Sequence, residues 1–352
     1  MARLIICLFA LLLAPAAWAK AITDVFGRTV NVPDRVERVI SIGSSMAFVT
    51  YLRAQNLAVG VEDVEKAADY TKPYIQANFE TVKDLPVIGK AGAVRMPNYE
   101  RIISLKPDVV FIVSTDRGEP DLVQRKLNIP VVAVGYGLPN FDQDVFFRSI
   151  RITAEVLSRK ERAEELISYI KSLTVKLNRA PEKKAEAYLG AISYKGHQGL
   201  NSTAADFLPM QLAGIKNTAD GERKSGQFFV NREYVLAKNP EIIFIDGNGL
   251  PLIADDARKH PEFYSRLRAF RNGKVFLLLP HTTYFTNPEM LYVNAFLMAK
   301  SAYPEIYGDI DPAAVADEIV SAFTGKGIYG FLKKTTGGYG VLELTSDGIK
   351  IK

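Results

Sequence analysis

The feature that most constrains the fold is a segment without glycine or proline, from Asp142 to Ala180, that separates two copies of one short phrase. The first copy, Glu100 to Ile112, ends in LKPDVVFI, and the second, Glu233 to Ile245, ends in KNPEIIFI. Each copy predicts a helix that stops near a proline and leads into a short apolar strand, as in a parallel sheet buried on both faces. The sequence therefore predicts two similar α/β halves joined by a helical segment.

The joining segment is predicted to contain two helices. The first covers Asp142 to Leu157, and the second begins at Ser158, which has the spacing of a capping box with Glu161. The second helix is about 20 residues, or about 30 Å, long. Its apolar residues recur at three- and four-residue steps. They are Ala163, Leu166, Ile167, Ile170, Leu173 and Leu177.

The N-terminus predicts a cleavable secretory leader at residues 1–19. A basic start is followed by thirteen apolar residues, Leu4 to Ala16, and by the small-x-small site Ala17-Trp18-Ala19. The rest of the chain is expected to divide into a first lobe at 20–141, a helical linker at 142–180 and a second lobe at 181–352. Cys7 is the only cysteine, so the mature chain should lack disulfides and thiolate metal sites.

The net charge of the mature chain says less about its binding partners than the sequence patterns say about its fold. Removal of the leader takes away Arg3 and no acidic residue, so the formal net charge falls from +5 to +4. Such a mild excess favours an anionic ligand. No basic stripe is interleaved with aromatic residues, which argues against nucleic-acid binding.

Polar residues of the first half follow predicted strands, where ligands of open parallel sheets bind. Ser44 and Ser45 follow the strand Val39–Ile42 and either hold an oxyanion or cap a helix. Arg95 lies in the loop before the first phrase and either offers a fork to an anion or is solvated. Tyr136, between two glycines, is a candidate pocket residue.

The second half places four further candidates at strand ends. Tyr194 and His197 follow one strand, and His281 and Tyr284 follow another. The histidines could donate to an oxyanion or bind a metal, although a single histidine is more often structural. A metal-dependent enzyme built on His197, His281 and nearby acids is thus an alternative, but the chain has no zinc-hydrolase motif such as H-E-x-x-H.

These features together resemble one family. The leader, the hairpin TDVFGRTV, the turn ISIGSS, the two phrases and the single long helix are similar to the substrate-binding proteins of ABC importers for iron chelates and cobalamin. The resemblance implies class III architecture: two Rossmann-like lobes with central parallel sheets, bridged by one long helix with little hinge motion. It also implies a periplasmic, monomeric protein that meets the membrane only through a permease dimer. Docking would use a carboxylate on each lobe, with Glu119, Asp255 and Asp256 as candidates.

The resemblance leaves the ligand open, because members of the family carry ferric siderophores, haem, cobalamin, or molybdate and tungstate. A ferric chelate or related metal complex is the first expectation, packed on Tyr136, Tyr194 and Tyr284. The alternative is bare molybdate or tungstate, held by Ser44 and Ser45 with charged donors. In either case the metal arrives within the ligand, and no resident cofactor is expected.

Overall fold

The computed structural model describes residues 19–66, 72–92, 95–137, 141–179, 181–193 and 195–352. The predicted leader, except its last residue, lies outside this range, as does the candidate Tyr194. Within the described part of the chain, no helix combines the length and the apolar character that crossing a bilayer requires.

Strands occur in both halves of the described chain. In chain order they are β1 (Ala19–Thr23), β2 (Thr29–Pro33), β3 (Val39–Ile42), β4 (Ala58–Gly60), β5 (Gly89–Lys90), β6 (Met96–Pro97), β7 (Val109–Val113), β8 (Val131–Val134), β9 (Glu186–Gly190), β10 (Ser202–Ala205), β11 (Lys216–Asn217), β12 (Gly226–Phe229), β13 (Ile242–Ile245), β14 (Val275–Leu277), β15 (Thr282–Thr283), β16 (Phe285–Thr286), β17 (Gly340–Thr345) and β18 (Gly348–Ile351).

Helices surround these strands. In chain order they are α1 (Met46–Tyr51), α2 (Pro73–Val82), α3 (Tyr99–Ser104), α4 (Glu119–Leu127), α5 (Gln143–Leu157), α6 (Lys160–Leu177), α7 (Leu208–Leu212), α8 (Arg232–Lys238), α9 (Leu250–Lys259), α10 (Pro261–Arg266), α11 (Arg268–Arg271), α12 (Pro288–Ala302), α13 (Pro304–Tyr307), α14 (Pro312–Thr324) and α15 (Tyr329–Thr336).

Each lobe is built on a central sheet whose core is parallel. The first sheet has the order β4-β3-β7-β8, with every pair parallel. The second has the order β11-β9-β13-β14-β17-β18, in which the first four strands are parallel and the last two are antiparallel. The predicted fold class, two α/β lobes with parallel sheets, is confirmed.

The repeated phrases form the same structure twice. In each, the residue before the proline has a left-handed backbone, with φ of 47° at Lys106 and 37° at Asn239. This turn lets the helix end and the following strand enter the middle of its sheet. All residues of β7 and β13 are buried, as their apolar composition predicts.

The two helices of the joining segment are also confirmed, but the predicted start of the second is wrong. Ser158 does not cap α6: its φ of 55° is left-handed, and it ends α5 with its N–H donated to the Ala154 carbonyl. Arg159 donates to the same carbonyl at 2.8 Å. The end of α5 therefore determines this turn, because its terminal carbonyls need donors. All six residues of the predicted stripe on α6 are buried.

One continuous apolar cluster runs through both lobes. It contains Val39 and Phe111 from the first sheet, Leu189 and Phe244 from the second, and the α6 stripe between them. The lobes are thus packed together as well as linked by the chain.

Helix α14, from the second half of the sequence, ends against the first lobe. Arg53, which follows α1, donates to the carbonyls of Ser321 and Phe323 at 2.9 and 3.1 Å. Arg162 on α6 donates to the neighbouring carbonyl of Ala322. Terminal carbonyls of a helix have no partners within the helix and carry its negative dipole end, so two guanidinium groups there stabilise the contact. We refer to this contact as the α14 clamp.

Removing Arg53 should loosen the α14 clamp. We expect Arg53→Ala to lower the free energy of unfolding by roughly 1–3 kcal/mol, because buried carbonyls lose charged donors. Urea denaturation followed by circular dichroism measures this. Arg35→Ala is the control, since Arg35 is an exposed residue paired only with Glu37, and it should change stability by less than about 0.5 kcal/mol. Equal stabilities of the two variants would contradict the role of the clamp.

Candidate functional site

The carboxyl ends of the four strands in the first sheet lie at one edge, and polar residues follow them. Ser44 comes after β3, Glu62 after β4, Ser114 after β7 and Tyr136 after β8. Because all four strands are parallel, these residues converge on the same side of the lobe.

The two predicted serines lie in the turn after β3, at residues 43–45, which we call the serine turn. They have different roles there. Ser45 is buried, accepts from the Ile42 N–H at 3.0 Å and donates to the Phe111 carbonyl at 2.9 Å. Its hydroxyl is therefore engaged within the fold. Ser44 has a left-handed φ of 57°, and its buried hydroxyl has no hydrogen-bond partner among the described residues. Ser44 is the serine available to a ligand.

A carboxylate that the sequence reading missed lies against this turn. Oε2 of Glu62 accepts from the Gly43 N–H at 2.8 Å, and the backbone of Ser44 also lies next to the carboxyl group. Glu62 is only 3% exposed, and its burial raises the pKa of the carboxyl to about 7. The backbone donors that were expected to receive an oxyanion are thus used by the protein itself. The position of Glu62 just after a predicted strand was the one signal that could have marked it.

Arg95 lies over the same turn. Nη1 donates to the Val113 carbonyl at 2.5 Å, and Nη2 lies 3.5 Å from Ser114 Oγ and pairs with Glu119. Any side chain at Gly43 would collide with Nη1 of Arg95 and the Val113 carbonyl, so the close approach requires glycine there. Arg95 therefore faces the strand ends and is not a solvated surface residue. Glu119, predicted to dock a permease, is its ion-pair partner here.

The second lobe contributes residues from the ends of β13 and β14. His281 Nδ1 lies 2.8 Å from Asp246 Oδ2, without the angle of a good hydrogen bond, and both side chains are buried. The His281 ring also packs edge-on against Phe207, with centroids 5.2 Å apart. These contacts fix the imidazole at the base of the β15–β16 hairpin. His197, in contrast, is exposed in the loop between β9 and β10.

The β15–β16 hairpin reaches across to the first lobe. Tyr284 has a left-handed φ of 67° at its tip, and its hydroxyl, which has no hydrogen-bond partner among the described residues, points toward Arg95 and the backbone of Gly92. Burial, with the nearby Glu62, raises the pKa of the Tyr284 phenol.

The next residue of the hairpin makes a second contact with the first lobe. The Phe285 ring stacks on Tyr136 with centroids 6.4 Å apart. Tyr136 is buried, and its hydroxyl donates to the Ser44 carbonyl at 3.1 Å. The structure therefore brings Ser44, Arg95, Tyr136 and Tyr284 together where the β15–β16 hairpin meets the first lobe, and we refer to this junction between the lobes as the cleft.

Two more buried carboxylates lie in the interior between the lobes. Tyr74 donates to Glu65 Oε1 at 2.9 Å, and Tyr51 on α1 donates to Glu289 Oε2 at 2.6 Å on α12. The second oxygen of each carboxylate is buried without a hydrogen-bond partner among the described residues. Burial raises the pKa of Glu65 to about 8 and that of Glu289 to about 7. Both carboxyls are therefore protonated in part of the population near neutral pH.

The predicted docking carboxylates of the second lobe lie together on α9. Asp255 pairs with Arg258 and Lys259 at 2.8 and 2.6 Å. Asp256 pairs with Arg232 and accepts from the Tyr264 hydroxyl. Their docking role stays a prediction. Among the described residues, no group of three or more His, Cys, Asp or Glu side chains is arranged to hold a metal ion.

Comparison with known proteins gives a consistent result. A family profile described as periplasmic binding protein matches residues 58–282. The chain is 26% identical over 347 residues to the molybdate-binding protein MolA of Haemophilus influenzae, covering 91% of this chain and 95% of that protein. It is 22% identical over 275 residues to the ferric-anguibactin-binding protein FatB of Vibrio anguillarum, covering 74% and 80%.

Solved structures show the same fold. MolA bound to molybdate superposes with a TM-score of 0.66 at 24% identity, covering 88% of this chain and 98% of that one. A periplasmic solute binding protein from Veillonella parvula superposes with a TM-score of 0.67 at 19% identity, covering 90% and 96%.

The buried glutamates should make stability fall as pH rises. Glu289 has a pKa raised from 4.5 to about 7, so between these values the folded protein binds more protons than the unfolded chain. The free energy of unfolding then decreases with pH, by up to about 1.4 kcal/mol per pH unit for one group. Urea denaturation at about pH 5 and about pH 7 should show a smaller decrease for Glu289→Gln than for the wild type. The exposed Glu305→Gln is the control, and an unchanged slope in Glu289→Gln would contradict the assignment.

Proposed function

This chain belongs to the periplasmic binding protein family, and on that premise we propose that it is the substrate-binding component of an ABC importer for a small oxyanion, molybdate or tungstate. The ligand is held between the two lobes and passed to a permease dimer at the membrane. The relatives named above are binding proteins of transport systems, which supports binding rather than catalysis as the role of the cleft.

The observation that carries this proposal is the direct contact between the lobes at the cleft. Tyr284 lies near Arg95, and Phe285 stacks on Tyr136. The apolar cluster and the α14 clamp hold the lobes in this arrangement. A ligand of a few atoms fits between such closely spaced groups, whereas a bulky chelate needs a wide, open cleft.

The groups at the cleft suit a tetrahedral oxyanion. The Ser44 hydroxyl has no hydrogen-bond partner in the part of the chain that the structure describes, and the Tyr284 hydroxyl lies near the Arg95 guanidinium. A guanidinium can direct two parallel N–H groups at an oxyanion, and hydroxyls can donate to its remaining oxygens. Binding would then exchange the contact between Arg95 and Glu119 for one between Arg95 and the ligand.

The other functional assignments follow from the same proposal. The protein needs no resident cofactor, because the metal atom belongs to the ligand. Residues 1–19 direct the chain to the periplasm, where it works as a monomer. Asp255 or Asp256 on α9 would pair with the permease, and Glu119 would do so only when it is released from Arg95.

A ferric chelate is the second candidate. The aromatic faces of Tyr136, Tyr284 and Phe285 favour it, since flat ligand surfaces pack on such rings. The name of FatB gives it further support. This alternative requires the β15–β16 hairpin to move away from Arg95, because the hairpin now closes the cleft there.

Calorimetry with the mature protein tests the proposal. We expect molybdate and tungstate to bind at one site, and a panel of ferric siderophores not to bind. Tyr284→Phe should weaken oxyanion binding roughly tenfold or more, because a hydrogen bond to a charged ligand is lost. Tyr169→Phe is the matched control, since its hydroxyl pairs with Glu318 on the surface. Binding of a siderophore without binding of either oxyanion would establish the second candidate instead.

A further inference from the structure

Glu62 is a buried carboxylate that is bonded to the backbone turn after β3. It accepts from the Gly43 N–H at 2.8 Å, lies next to the backbone of Ser44, and is 3% exposed. A carboxylate accepts hydrogen bonds there in the same way as an oxyanion ligand would. The position of Glu62 therefore places it in competition with the ligand that the cleft is proposed to bind.

The charged and titratable groups around Glu62 come from several elements. Arg95 is the cation, and Asp63 and Glu65 are the neighbouring acids. Tyr74 on α2 and Tyr284 on the β15–β16 hairpin also face it. Lys72 is a second buried cation, which acts on Glu65, and Arg95 is itself paired with Glu119.

We propose that Glu62 couples ligand binding to the uptake of one proton, so that the neutral acid shares the cleft with an oxyanion and the ionised carboxylate excludes it. This inference rests on the proposed function. Molybdate and tungstate are dianions at neutral pH, and an ionised Glu62 at the same turn would repel them. A protonated carboxyl group carries no charge and gains an O–H donor, which can bond to a ligand oxygen. The proton comes from solvent, and no covalent bond to the ligand forms.

The burial of Glu62 places the expected proton uptake near neutral pH. Burial raises its pKa to about 7 in the ligand-free protein, and a bound dianion would raise it further. Below about pH 7 the carboxyl is already protonated and affinity should be constant. Above that value each bound ligand must bring a proton, and the dissociation constant should rise about tenfold per pH unit.

Proton uptake can be measured on the wild-type protein by calorimetry with molybdate at about pH 8. Titrations in HEPES and in Tris, which differ in ionisation enthalpy, give the number of protons taken up. We expect a value approaching one, together with the tenfold loss of affinity per pH unit described above.

Two variants assign the proton to Glu62. Glu62→Gln keeps a donor but cannot ionise, so its molybdate affinity should be independent of pH and its proton uptake should vanish. Asp63→Asn removes a negative charge from the next residue, which is exposed and bonds to Val64 and Ala91 rather than to the turn. It should take up protons as the wild type does.

The outcomes separate this inference from the function on which it rests. If the wild type binds molybdate with no proton uptake, or if Glu62→Gln retains the pH dependence, the role of Glu62 is overturned and the proposed function stands. If the wild type binds neither molybdate nor tungstate at any pH, both are overturned. Should Glu62→Gln fail to fold, the wild-type titrations in the two buffers still decide.

Discussion

The arrangement of the two lobes depends on the contacts that attach the second half of the chain to the first. Helix α6 provides the covalent connection, and its buried stripe joins the apolar cluster that runs through both sheets. The α14 clamp adds a polar attachment, in which Arg53 and Arg162 bind the carbonyl end of α14. With these contacts in place, the β15–β16 hairpin meets the first lobe directly. The close approach of the hairpin to Arg95 follows from this attachment, and the proposed preference for a small ligand rests on it.

The interior behind the cleft contains more ionisable groups than apolar packing alone requires. Glu62, Glu65 and Glu289 are buried, and burial raises the pKa of each toward or above neutrality. A buried acid costs little while it is neutral and much when it is ionised without a partner. The hydroxyls of Tyr74 and Tyr51 donate to Glu65 and Glu289, which favours the ionised carboxylates, but burial outweighs this effect. At Glu62 the same effect of burial underlies the proposed link between protonation and ligand binding.

The sequence predicted those parts of the fold that have a local signal. The repeated phrases identified β7 and β13, and the apolar spacing identified the buried face of α6. Strand-end positions led to Ser44 and Tyr284, and a loop position led to Arg95, and the structure brings all three to one cleft. Long-range contacts had no such signal: Arg53 and Ser321 lie 268 residues apart, so the packing of α14 on the first lobe could not be predicted.

Other differences between the sequence predictions and the structure arose where one sequence pattern is compatible with two structures. Ser158 has the spacing of a capping box, but it ends α5 in a left-handed turn. Glu62 looks like an ordinary loop acid in the sequence, and Glu119 was a candidate for docking. Only the fold shows that Glu62 accepts from the serine turn and that Glu119 pairs with Arg95.

The central claim, that the cleft between the lobes holds a small oxyanion, is tested most directly by a crystal structure of the protein with tungstate. Anomalous scattering should show tungsten between Ser44, Arg95 and Tyr284. A tungsten peak away from these residues, or a cleft that stays empty at saturating tungstate, would contradict the claim.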